Sequence, residues 1–182
     1  MKTGVILNKE EIAQQLQEIA DQIIMRHGSG KEIVLIGIRT GGAFLAARLQ
    51  KVLAQSGALN PLVGILDITL YRDDWTRIGS TPVVGKTDLP FSVDGKSLIL
   101  VDDVLYTGRT VRAAMDALMD YGRPKKIELA ILADRGAEYR ELPIAPDYKG
   151  GTWTTASEET INVYLEEEGF EDYVAIEKKK AA

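Results

Sequence analysis

Two neighbouring carboxylates, Asp102 and Asp103, close the apolar run Leu98-Ile99-Leu100-Val101 and precede Val104-Leu105-Tyr106-Thr107-Gly108-Arg109-Thr110. Four successive aliphatic residues predict a strand buried on both faces, so the two acids emerge at a defined height above a sheet. Tyr106 to Thr110 then reads as a turn into a helix. Gly108 lets the backbone approach a ligand there, and Thr107 and Thr110 add hydroxyl groups. Backbone N–H groups at a helix start bind phosphate well. Acids beside such a cradle repel a bare phosphate, but they suit sugar hydroxyls or a magnesium ion. A sugar carrying a 5-phosphate satisfies both halves.

Two other strand ends share this character: Arg39-Thr40-Gly41-Gly42 and Asp134-Arg135-Gly136. In open α/β sheets, ligands sit beyond the carboxyl ends of the strands. Each feature alone has a plainer reading. The acidic pair could cap a helix or form a receiver-type pocket, and the glycines at 41 and 42 could merely end a strand.

The elements that must position these loops follow from periodicity. Ile12, Leu16, Ile19 and Ile23 recur at helical spacing opposite a polar face, predicting a helix begun by Asn8 and ended near Gly28, with His27 solvated at its end. A strand over 33–38 leads to a helix bearing Phe44, Leu45, Leu49, Val52 and Leu53, then to a strand over 61–70. Residues 71–96, with Gly79, Pro82, Gly85, Pro90 and Gly95, have the length and polarity of a lid. A helix around 111–119, a strand over 127–133, a Pro-rich loop and strands around 161–165 and 173–176 complete the chain. This alternation predicts an α/β fold, a parallel sheet with helices on both faces, in a single domain over 1–182.

The 182 residues are 45% hydrophobic, enough for a sizeable core. The absence of cysteine excludes disulfides, thiol catalysis and cysteine-ligated zinc. A single histidine leaves no partner for a multi-histidine metal site or a Ser-His-Asp triad. Neither Gly-x-x-x-x-Gly-Lys-Ser/Thr nor Gly-x-Gly-x-x-Gly occurs, which disfavours P-loop and dinucleotide enzymes. No run approaches the ~20 apolar residues of a membrane helix, so the expected compartment is the cytoplasm, without a membrane partner. The net charge of −5 arises within residues 158–182, where eight acids face Lys178, Lys179 and Lys180. That acidic excess is expected to lie away from the strand-end loops, with the lysines as a solvated tail.

Leu98 to Thr110 resembles the phosphoribosyl-pyrophosphate (PRPP) signature of type I phosphoribosyltransferases. Ile68-Thr69-Leu70-Tyr71-Arg72-Asp73-Asp74, Asp134-Arg135-Gly136 and Arg140-Glu141-Leu142-Pro143-Ile144 narrow the resemblance to the PyrR family, pyrimidine-operon attenuation proteins that are also uracil phosphoribosyltransferases. It extends from about Val5 to Ile176. The resemblance implies a type I fold with a small hood, built from 137–182 and the N-terminal segment, and a lid at about 71–96. The implied reaction converts PRPP and uracil to UMP and diphosphate with Mg2+. On the family pattern, Asp102 and Asp103 hold the ribose hydroxyls, directly or through the metal. Val104, Leu105, Tyr106, Thr107, Gly108, Arg109 and Thr110 hold the 5-phosphate. Arg39, Thr40 and Gly41 take the diphosphate, the lid brings Arg72 and Lys86 over it, and Arg135 binds substrate near the base. Family members usually carry Lys-Thr-Arg-Gly where this chain has Arg39-Thr40-Gly41-Gly42, so a cation has moved.

The resemblance also implies a homodimer or homotetramer and a second partner, operon leader RNA, held on a basic face. Here Gln17, Glu18 and Asp21 match the family's Thr, Arg and His, while Ala145 and Gly151 stand for an Arg and a Lys. Ala137-Glu138-Tyr139 interrupts the usual His-Arg pair before Arg140. Phosphate contacts supply most of the affinity for RNA, so weak, strongly salt-dependent binding is expected. The charge distribution thus favours the enzyme over a UMP-sensing RNA regulator.

Overall fold

The computed structural model describes residues 2–28, 32–73 and 85–179. Its centre is a parallel five-stranded sheet in the order β3-β2-β4-β5-β6, formed by β2 (Ile33–Ile38), β3 (Leu62–Leu66), β4 (Ser97–Leu105), β5 (Lys126–Asp134) and β6 (Tyr148–Thr152). β2, β4 and β5 are aliphatic because both faces are covered. Helices α1 (Lys9–His27) and α2 (Gly41–Gln55) pack on one face, and α3 (Arg109–Met119) on the other. The first core joins Ile12, Leu16, Ile19 and Ile23 to Leu45, Leu49 and Leu53; the second joins Val111, Ala114 and Leu118 to Ile36, Leu100 and Ile131. Each such Leu or Ile contributes about 1.5–3 kcal/mol. The start of α1 is fixed by a capping box: the Glu11 amide donates to Asn8 Oδ1, and the Asn8 amide to Glu11 Oε2.

From β2 the chain winds outward to β3, and from β4 it winds the other way to β5. The switch point therefore lies between β2 and β4, and it opens a crevice at their carboxyl ends. A second, antiparallel sheet in the order β1-β8-β7 joins β1 (Lys2–Leu7), β8 (Tyr173–Lys178) and β7 (Glu159–Tyr164), pairing the first residues of the chain with nearly the last.

Several sequence expectations shift. The strand expected over 61–70 ends at Leu66, because Asp67 turns the chain by accepting the Thr69 amide at 2.8 Å. β1 and β6 were not expected; β6 lies within the stretch read as a Pro-rich loop and takes its order from pairing with β5. His27 is not solvated. Its Nε2 lies 2.6 Å from Glu128 Oε2 and 3.0 Å from the Tyr148 hydroxyl, both contributed by distant strands. Lys178 ends β8, and the Lys179 amine donates to the Ser157 carbonyl at 2.7 Å, so these two belong to the sheet rather than to a tail. Lys180 and residues 74–84 of the lid expected at about 71–96 lie outside the described residues.

Candidate active site

The crevice is tight on its β2 side. A Cβ on Gly42 would stand 2.3 Å from the Val101 carbonyl oxygen, and one on Gly41 would stand 2.7 Å from Asp103 Oδ2. Glycine alone lets the Arg39–Gly42 loop press onto β4, and it brings the N-terminus of α2 beside Asp103. The Arg39–Thr40 peptide is cis. Asp102 Oδ1 accepts the Asp103 amide at 3.0 Å, and Asp103 Oδ1 accepts the Val104 amide at 2.7 Å. Burial pushes the Asp102 carboxyl well above the usual carboxylate range, and repulsion from Asp103 adds to this while Arg72 opposes it. Burial also raises Asp103. Two acids held this way are poised for a cationic or hydroxyl-rich partner.

Beyond them lies a cavity of about 300 Å³ lined by Arg72, Asp73 and Val104 to Val111. Gly108 caps α3 with φ 92°, a left-handed conformation that glycine adopts without penalty. The structure thus gathers Arg72 and the whole Val104–Thr110 turn, but with a division of labour. The Leu105 side chain is buried in the core under α3. The Arg109 guanidinium is shared by Asp73 and by Glu141, at 2.6 Å from Oε2, so it ties the start of the lid segment to the turn. Backbone and hydroxyl groups remain to face a ligand.

On the other side of the crevice, the Asp67 carboxylate accepts the Gly85 amide at 2.7 Å, and Arg39 Nη1 donates to the Lys86 carbonyl at 3.3 Å. Arg39, Thr40 and Lys86 are exposed there.

A larger cavity, about 710 Å³, opens between Asp103 and Val104 below and the antiparallel sheet above. Thr160, Asn162, Tyr164, Glu168, Glu177 and Lys179 are among its lining residues. Glu177 Oε2 accepts from Asn162 Nδ2 at 2.7 Å and from the Tyr164 hydroxyl at 2.9 Å. The acidic segment is therefore not remote from the strand-end loops: pairing of β8 with β1 and β7 carries Glu177 to the cavity, and Glu168 lines the same cavity as Asp103, its carboxyl raised by burial and then by repulsion from Asp103. A clasp of Arg48 on Asp172, at 2.6 and 2.8 Å, and on Glu167 fixes the 166–172 turn to α2.

Arg135 differs from the expected direct contact. Its side chain is buried, donates to Thr155 Oγ1 and, at 3.0 Å, to the Glu159 carbonyl, and stacks 3.8 Å over the Tyr106 ring. Sequence reasoning gave no role to Asn162, Tyr164, Glu168 and Glu177. The polar alternation Thr160-Asn162-Tyr164 was the available signal.

Among the described residues no three His, Cys, Asp or Glu groups converge to enclose a metal. Asp102 and Asp103 nonetheless fit Mg2+, a hard cation that accepts one or two carboxylates and takes its other ligands from water and substrate oxygens. No helix among the described residues is long and apolar enough to cross a membrane.

Residues 3–167 match the phosphoribosyl transferase domain family. The chain is 47% identical to the Bifunctional protein PyrR of Syntrophobacter fumaroxidans over 98% of its own length and 95% of that protein. It is 52% identical to the Bifunctional protein PyrR of Pelotomaculum thermopropionicum, over 94% and 93%. Its fold is similar to that of a hypoxanthine-guanine phosphoribosyltransferase from Bacillus anthracis, with TM-score 0.73, 21% identity and coverage of 96% of this chain and 98% of that one. On these grounds the chain belongs to the PyrR family of phosphoribosyl transferase domain proteins.

Proposed function

We propose that the protein transfers the phosphoribosyl group of PRPP to N1 of uracil, giving UMP and diphosphate. The observation that carries this reading is that Asp103 and Val104 border the 710 Å³ cavity, while Val104, next in the chain to the acidic pair, also begins the turn that lines the 300 Å³ cavity. In the reaction the bond from C1′ to the diphosphate oxygen breaks, the bond from C1′ to N1 forms, and the N1 proton leaves. Amides and hydroxyls of the Val104–Thr110 turn hold the 5-phosphate. Asp102 and Asp103 hold the ribose hydroxyls and stabilise positive charge at C1′ as it develops. Arg39, Thr40 and Gly41, at the N-terminus of α2, receive the diphosphate, with Lys86 beside them and Arg72 across the crevice. Asp102 and Asp103 would hold magnesium, which would supply positive charge to offset the negative charge of the departing diphosphate. The base enters the larger cavity. Arg135 acts from below by stacking on Tyr106. Incubation with PRPP, Mg2+ and one base at a time, with nucleotides separated by chromatography, tests this reading.

The reading as an RNA-binding attenuation regulator is the weaker one. The exposed face of α1 carries Glu18, which accepts from Gln14 at 3.1 Å, and Asp21, which accepts from Gln17 at 2.9 Å. Such a face repels phosphates. Leader-RNA binding that collapses between about 50 and 200 mM salt is expected, and tight UMP-enhanced binding at physiological salt would refute this.

A further inference from the structure

Arg140 and Glu141 stand behind the phosphate turn and take hold of its carbonyl groups. Arg140 Nη1 donates to the Tyr106 carbonyl, and at 3.4 Å to that of Leu105. The Leu105 carbonyl also accepts the Arg135 amide at 3.0 Å, and the Thr107 carbonyl accepts the Glu141 amide at 3.1 Å. Three successive carbonyls, those of residues 105, 106 and 107, are thus drawn to one side. In a trans peptide the N–H points opposite to the C=O. The amides of Tyr106, Thr107 and Gly108 are therefore turned to the other side, where the cavity lies, and the withdrawn carbonyl dipoles leave that cavity more positive. Arg140 is itself immobilised: Nη2 is paired with Asp134 Oδ1, Nε donates to the Ile144 carbonyl at 3.2 Å, and the side chain is 9% exposed.

The geometry points to Arg140 as a positioning residue for the 5-phosphate, acting by holding the turn's carbonyls outward so that its amides face the ligand. The inference rests on the phosphoribosyl reading of the turn and adds to it a residue that touches no substrate. A merely stabilising arginine would weaken every ligand alike, whereas a residue that aims these amides affects only ligands carrying the phosphate.

The test is titration of the wild type and Arg140→Gln with UMP, ribose 5-phosphate and uridine, by NMR so that millimolar binding is read. Loss of charge-assisted bonds to the turn predicts weakening of about 30-fold for both phosphorylated ligands and less than about twofold for uridine. Arg140→Lys, which reaches the carbonyls or Asp134 but not both, should lose about fivefold for the phosphorylated pair. It carries the test if circular dichroism shows Arg140→Gln unfolded. Equal weakening of all three ligands, or unchanged binding of the phosphorylated pair, overturns the proposal. Wild-type protein that binds ribose 5-phosphate but makes no UMP refutes the uracil reading and leaves the role of Arg140 standing. Wild-type protein that binds neither phosphorylated ligand refutes both.

Discussion

The two cavities that meet at Val104, beside Asp103, are built by opposite means. The smaller one is local: residues 104–111 close it, with Arg72 and Asp73 at its rim, and its donors are peptide groups whose direction is fixed by a turn. The larger one is assembled from afar, since β7 and β8 reach Asp103 only after β8 has paired with β1, more than 160 residues away. Its polar side chains, Asn162, Tyr164, Glu168 and Glu177, mostly offer acceptors. On the proposed function, the smaller cavity takes the phosphate that every substrate shares, and the larger takes the part that varies. Damage to the first should abolish turnover, and damage to the second should redirect or loosen it.

The sharpest break in this contrast is at the shared edge. Asp103→Asn should lower turnover by about 10²–10³-fold, read as UMP formed per enzyme, while leaving the melting temperature unchanged or raised, because a buried repulsive charge has been removed. The clasp over the larger cavity comes next. Arg48→Ala leaves the Asp172 carboxylate, 3% exposed, without its bidentate partner. A loss of about 2–3 kcal/mol in denaturant unfolding is expected. On the phosphate side, Gly41→Ala drives a methyl group toward Asp103 Oδ2 and should raise the KM for PRPP about tenfold with the KM for the base unaffected. Asn162→Ala should do the reverse and more gently, raising the KM for the base about threefold at constant KM for PRPP.

The smallest effect concerns pH. Asp102, Asp103 and Glu168 have folded-state values raised above the unfolded ones. The stability they contribute is complete below the ordinary carboxylate range and is lost as pH rises through the raised values. Asp172 and Glu167, both bonded to Arg48, are depressed instead, so their contribution holds above that range and fades as pH falls through it. The ligand-free protein should therefore melt higher near pH 5 than near pH 7, and Asp102→Asn should flatten that slope.

The same contrast explains what was legible in the sequence. Leu98–Val101 and Ile33–Ile38 announce themselves because strands buried on both faces are continuously aliphatic, and the turn after Asp103 follows directly in the chain. Tyr148-Lys-Gly-Gly-Thr carries no such pattern; its order comes from an edge pairing with β5. His27 looked solvated because its partners Glu128 and Tyr148 lie over a hundred residues away. The acidic terminus looked remote for the same reason. Arg140 showed only as part of a motif, since nothing in a linear sequence says that a side chain will hold the carbonyls of residues 105 and 106.

The central claim is most directly tested by supplying the protein with PRPP and Mg2+ and offering uracil, hypoxanthine, guanine or orotate separately. UMP and diphosphate in equal amounts are expected with uracil, and no nucleotide with the other three bases. Absence of UMP, or a purine nucleotide in its place, would contradict that claim.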